Sequence, residues 1–190
     1  MHRAAPAVAV LLLAGCGSGA SPPATPTFFA RAASAYLLTL DELRTPGFTV
    51  SEAAHDATGE ACPAATARYF RSVSELATSN GPVDVRTTVL RCPSVGAAAA
   101  AYSTLVARTD AVSGETAESA GALGDVAHAD ELRTTGDGVG LVEVTVTWRT
   151  ANLVSVLVDR ERDAGSGLAD ALILAHAQAA AAEQPQTTRG

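Results

Sequence analysis

Between residues 28 and 183 the apolar positions recur with two different periods, and the switches between them divide the chain into elements. Phe29, Ala32, Ala33, Tyr36, Leu37, Leu40 and Leu43 recur at helical spacing and predict a helix over 28–43, stopped by Thr45-Pro46-Gly47. Phe48-Thr49-Val50 alternates and predicts a short strand. Residues 66–76 carry both periods: Tyr69, Val73 and Leu76 suit a helix, whereas Tyr69, Arg71 and Val73 suit one face of a strand. Asn80-Gly81 is a strong hairpin signal, and Val83, Val85, Thr87 and Val89 alternate after it, so 66–91 reads as a hairpin. Ser94 is placed to cap a helix whose buried stripe is Val95, Ala98, Ala101, Tyr102, Leu105 and Val106. Residues 109–124 read as a connection with one helical turn, Val126–Leu132 as a strand, and Gly136-Asp137-Gly138 as a turn.

The two best strands follow. In the first, Val142, Val144, Val146 and Trp148 share a face, and Glu143, Thr145, Thr147 and Arg149 share the other. In the second, Val154, Val156 and Val158 alternate with Leu153, Ser155 and Leu157, with Ala151-Asn152 as the turn between. A last helix over 166–183 has Leu168, Leu172, Ala175 and Ala179 on one face, and Pro185 ends it before a polar tail, 184–190. The order α, β, ββ, α, βββ, α predicts one α+β domain over 28–183: an antiparallel sheet with helices packed on one face. Strands followed by a helix occur twice, over 48–108 and 126–183, as an architectural echo without residue identities.

Composition narrows the function classes. The chain has 190 residues, 47% hydrophobic, with a formal charge of −7. An acidic surface does not suit a phosphate backbone, so no nucleic-acid partner is expected. No window approaches the roughly 20 apolar residues of a membrane-spanning helix. All 13 basic residues are arginine, which fits GC-rich bacterial coding.

The first residues carry the most specific signal. In MHRAAPAVAVLLLAGC, Arg3 precedes a short apolar stretch, Ala7–Leu13, and Leu13-Ala14-Gly15-Cys16 closes it. The arrangement is that of a secretory signal peptide, and its ending resembles the lipobox of bacterial lipoproteins. The resemblance implies cleavage after residue 15, acylation of Cys16, and a domain held to the extracytoplasmic face of the cell membrane. Two or three acyl chains anchor firmly where one does not. Residues 17–27, GSGASPPATPT, lack charge and large apolar groups, so 16–27 reads as lipidated cysteine plus tether. Loss of Arg3 leaves the mature chain one charge more negative. With Cys16 acylated, Cys62 and Cys92 remain as an even pair in an oxidising space, and a disulfide between them would contribute roughly 3 kcal/mol. The alternative is a metal-binding or catalytic thiol, but neither cysteine has C-x-x-C or histidine spacing.

Leu40–Val50, LDELRTPGFTV, then Leu123-Gly124-Asp125 and Trp148-Arg149-x-x-Asn152 with its following Val-rich strand, resemble extracytoplasmic lipoproteins of mycobacteria and the sensor domains of membrane serine/threonine kinases. The resemblance spans about 28–183. Arg44-Thr45 interrupts the compact helix-ending phrase of those domains. It implies an actinobacterial envelope protein but brings no ligand.

Chemistry is sparse. There is no G-x-S-x-G, P-loop or H-E-x-x-H. Gly165-Ser166-Gly167 reads as a helix cap, and Gly136–Gly140 as a hairpin turn. His128 and Asp130 share one strand face, half of a metal or acid/base site, with a solvated edge strand as the simpler reading; no metal and no cofactor is assigned. His176 suits the end of the last helix. The polar face carrying Arg149 could line a partner site. The expected protein is a non-enzymatic, lipid-anchored binding or sensor domain for a small hydrophobic ligand or an envelope partner. A gap lined by Phe29, Tyr36, Leu40, Tyr102, Leu105 and Trp148 would hold the ligand. The alternatives are a structural interaction lipoprotein without a ligand and, less favoured, a hydrolase.

Overall fold

The computed structural model describes residues 28–43, 47–57, 62–72, 82–112, 114–136, 139–162 and 167–183. Cys16 and its lipobox, the tether, the Asn80-Gly81 and Asp137-Gly138 turns, Ser166 and the polar tail lie outside them.

Seven strands form one sheet in the order β1-β2-β3-β7-β6-β5-β4, with every neighbouring pair antiparallel. They are β1 Phe48–Asp56, β2 Ala64–Ser72, β3 Pro82–Arg91, β4 Glu115–Glu118, β5 Val126–Gly136, β6 Val139–Thr150 and β7 Leu153–Arg162. Three helices accompany them: α1 Leu40–Leu43, α2 Val95–Thr109 and α3 Leu168–Glu183, with a 3₁₀ turn at Ala33–Tyr36 before α1. The fold is α+β with an antiparallel sheet, as the periodicities indicate. The ambiguous segment 66–76 is strand through Ser72 and pairs with β3 as a hairpin.

Strand alternation distributes the helices. Val142, Val144 and Val146 of β6, Leu157 of β7, Val85 of β3 and Phe70 of β2 point to one side. There they pack on Ala171, Leu174 and Ala175 of α3, on Leu43 of α1 and on Leu38 just before it. Phe29, Ala33, Tyr36 and Leu37 continue this layer over Val89 and Leu153. Thus the N-terminal turns and α3 share one face, in line with the expected layering. α2 departs from it. Its Ala98 and Ala101 pack on Leu90, Val154 and Ala65, which alternation sends to the opposite side, next to the half-cystines. Its start is capped by Ser94 Oγ, which accepts the Ala97 N–H at 3.1 Å. The face of Thr145 and Thr147, polar in the sequence pattern, is therefore buried in part.

Two further expectations change. The predicted helix over 28–43 is the 3₁₀ turn and the single turn α1, separated by extended Leu37. At its start the backbone amides bond to side chains instead of to helical carbonyls. Phe29 N–H donates to Asn152 Oδ1 at 2.8 Å, and Arg31 N–H to the Tyr36 hydroxyl at 3.1 Å. The connection 109–124 contains β4, an edge strand formed by pairing with β5. Cys62 and Cys92 are joined in a disulfide, with Cα atoms 4.6 Å apart.

Candidate functional site

On the α2 face, β5 places His128 and Asp130 two residues apart, so both side chains project the same way. α2 ends above them at Asp110, whose backbone N–H closes the helix on Val106 O. His128 Nε2 lies 2.9 Å from Asp130 Oδ1 and 3.1 Å from Asp110 Oδ1. The three potential ligand atoms fall within 4.8 Å of one another. β5 is not an edge strand, since β4 covers its outer side; the simple solvated-edge reading of this pair is thereby displaced.

The electrostatics of the cluster are unbalanced. Asp130 is 2% exposed, and its second oxygen has no hydrogen-bond partner. Such a buried orphan costs about 1–3 kcal/mol. A single Nε2 faces two carboxylate oxygens here. Asp110 also sits at the negative end of α2, where the helix dipole disfavours an anion. Glu115 of β4 shares the face, two residues from Ala117, the partner of Asp130. One Glu115 oxygen is also buried without a partner, and burial together with Asp130 pushes its pKa up. Burial likewise raises the Tyr102 hydroxyl above this floor, an effect opposed by Arg149. Arg149 itself pairs with Asp125 at 3.3 Å. One imidazole and two carboxylates converging on a point, with a third carboxylate on the same face, form a donor set able to hold a divalent cation.

The six residues expected to line an apolar gap do not converge. Phe29 and Tyr36 touch edge to face with centroids 5.4 Å apart, and Phe29 and Trp148 flank one crevice on the α3 face. That crevice holds about 10 Å³, the space of one water. Tyr102 and Leu105 lie across the sheet in the α2 layer, and Leu40 is exposed. Short alanines let the helices close on the sheet, so the side chains fill the space between layers. Trp148 anchors the core as its alternation implied, and His176 is exposed on α3.

A larger concavity, about 340 Å³, opens on the α2 face beyond the helix. Glu52, His55, Tyr69, Arg86 and Thr88 line it, and the Arg86 guanidinium lies 5.1 Å over the Tyr69 ring. On the α3 face two carboxylates are fully buried. Burial, reinforced by Glu161, pushes Asp159 up to about 8, and burial with Asp170 pushes Glu161 up to about 7. Glu161 accepts the Gly167 N–H just before α3, whereas neither Asp159 oxygen has a partner.

Asp110 and Glu115 escape sequence reasoning. Each lies in a stretch without periodicity, and only the end of α2 and the pairing of β4 bring them to His128.

No protein-family model matches the chain, and no curated protein matches it. A solved structure from Bacteroides thetaiotaomicron VPI-5482 aligns with a TM-score of 0.41 and 12% identity, over 67% of this chain and 40% of that one. The chain thus spans less than half of that protein, and a likeness of this size fixes neither fold nor function.

Proposed function

We propose that this chain is a lipid-anchored, non-enzymatic binding module on the extracytoplasmic face of the membrane, and that it binds through the polar α2 face of its sheet. The observation that carries the reading is the Cys62–Cys92 disulfide. A chain whose other two cysteines are oxidised belongs in an exported compartment and leaves Cys16, in its lipobox context, for acylation. The polar face supports the second half of the reading. It carries the His128 cluster and the open groove, whereas the apolar layer on the α3 face has room for no more than a water at the Phe29–Trp148 crevice.

Labelling with a radioactive fatty acid tests the anchor. Wild-type protein should take up label and sediment with membranes. Cys16→Ala should take up none and be released or accumulate as precursor. Undiminished labelling of Cys16→Ala would end the reading.

A further inference from the structure

We propose that Asp110, His128 and Asp130 form a binding site for a divalent transition cation of the zinc class, on the α2 face at the end of α2. This inference is independent of the anchor and holds whether or not Cys16 is acylated.

Three observations carry it. The first is convergence: His128 Nε2 lies 2.9 Å and 3.1 Å from oxygens of the two aspartates, which come from separate elements. Ligands around a tetrahedral zinc stand roughly 3.3 Å apart at ordinary zinc–nitrogen and zinc–oxygen lengths. The histidine–aspartate spacings are near that value, and all three atoms fall within 4.8 Å. Asp110 is exposed and at a helix end, so it is free to close the remaining distance.

The second is the unused oxygen of Asp130. This carboxylate is 98% buried against the sheet and already faces the imidazole, yet one of its oxygens has no partner. Buried carboxylates are normally fully hydrogen-bonded. A cation bound by both oxygens of Asp130 removes the orphan, and the neutral imidazole then offers its lone pair in place of a shared proton.

The third is charge. Two aspartates and the nearby Glu115 bring more negative charge than one imidazolium cancels, and the Arg149 guanidinium on this face is directed to Asp125. An imidazole in the set selects zinc-class ions over calcium or magnesium, which prefer oxygen alone.

The test uses the full chain carrying Cys16→Ser, so that no free thiol competes, stripped with chelator and titrated with zinc chloride by calorimetry. One equivalent should bind and raise the unfolding temperature, because a ligand that binds only the folded state stabilises it. X-ray absorption of the loaded protein should show a nitrogen and oxygen shell without sulfur. His128→Ala should weaken binding about 100-fold and Asp110→Asn at least about 10-fold, with calcium failing to compete. His55→Ala and His176→Ala should bind as the parent does. Asp130→Asn should behave like His128→Ala; if it fails to fold, the exposed Asp110→Asn decides. Equal affinity in the parent and His128→Ala, or no zinc bound at stoichiometric micromolar concentration, would overturn the proposal.

Discussion

At Asn152 one side chain ties together three parts of the chain. Its amide nitrogen donates to Phe29 O at 3.0 Å and to Cys92 O at 3.2 Å, and its oxygen accepts from Phe29 N–H. The residue is fully buried. Asn152→Ala therefore strands one amide and two carbonyls, and should cost at least about 3 kcal/mol in urea unfolding. Gly124 is a second critical position. Its φ is +61°, and a Cβ there would lie 2.5 Å from Arg149 O, which accepts the Asp125 N–H. Gly124→Ala should destabilise by about 2 kcal/mol or more in the same assay, since the left-handed backbone and the clash act together. Both residues belong to phrases that stand out in the sequence, Leu123-Gly124-Asp125 and Trp148-Arg149-x-x-Asn152. Their types are legible there; the partners that make them necessary are not.

Among the elements, what the sequence discloses depends on where each one finds its support. β6 alternates strictly and pairs with β7 through a two-residue turn, so the local pattern of this hairpin suffices. The segment 28–43 shows helical spacing, yet its first amide bonds to a residue 123 positions away, and tertiary contacts override the period. β4 contains Glu115 and Glu118 with little apolar content, and exists because β5 offers it an edge. The placement of α2 had a signal: β7 is apolar on both sides, Leu153 and Leu157 on one and Val154, Val156 and Val158 on the other, as befits a strand covered twice. The threonines on β6 masked it by reading as polar while packing as small branched side chains. The same layering explains the disulfide, which ties the start of β2 to the end of β3 under α2. Cys62→Ala with Cys92→Ala should lower stability by about 3 kcal/mol by denaturant titration, the contribution of a closed loop of this length.

For the whole molecule, the two buried carboxylates set the dependence on pH. Asp159 and Glu161 have folded-state pKa values of about 8 and about 7, above those of an unfolded chain. The folded state holds these protons where the unfolded state releases them, so stability falls as pH rises. The loss begins above the unfolded values near pH 4 and levels off above about pH 8. Urea unfolding between pH 5 and pH 9 should show this decline, and Asp159→Asn should flatten it. A wild-type stability that rises over that interval would contradict the buried, protonated state.

The two sheet faces thus divide the work. The α3 face closes a packed core over the buried Asp159 and Glu161, and the α2 face presents the His128 cluster and the open groove. Native mass spectrometry of the protein extracted from its own envelope in mild detergent tests this division most directly. The account predicts a chain acylated at Cys16 that carries one divalent metal ion, lost in His128→Ala, with no lipid held non-covalently. A lipid-sized adduct retained without metal, and unaffected by His128→Ala, would contradict it.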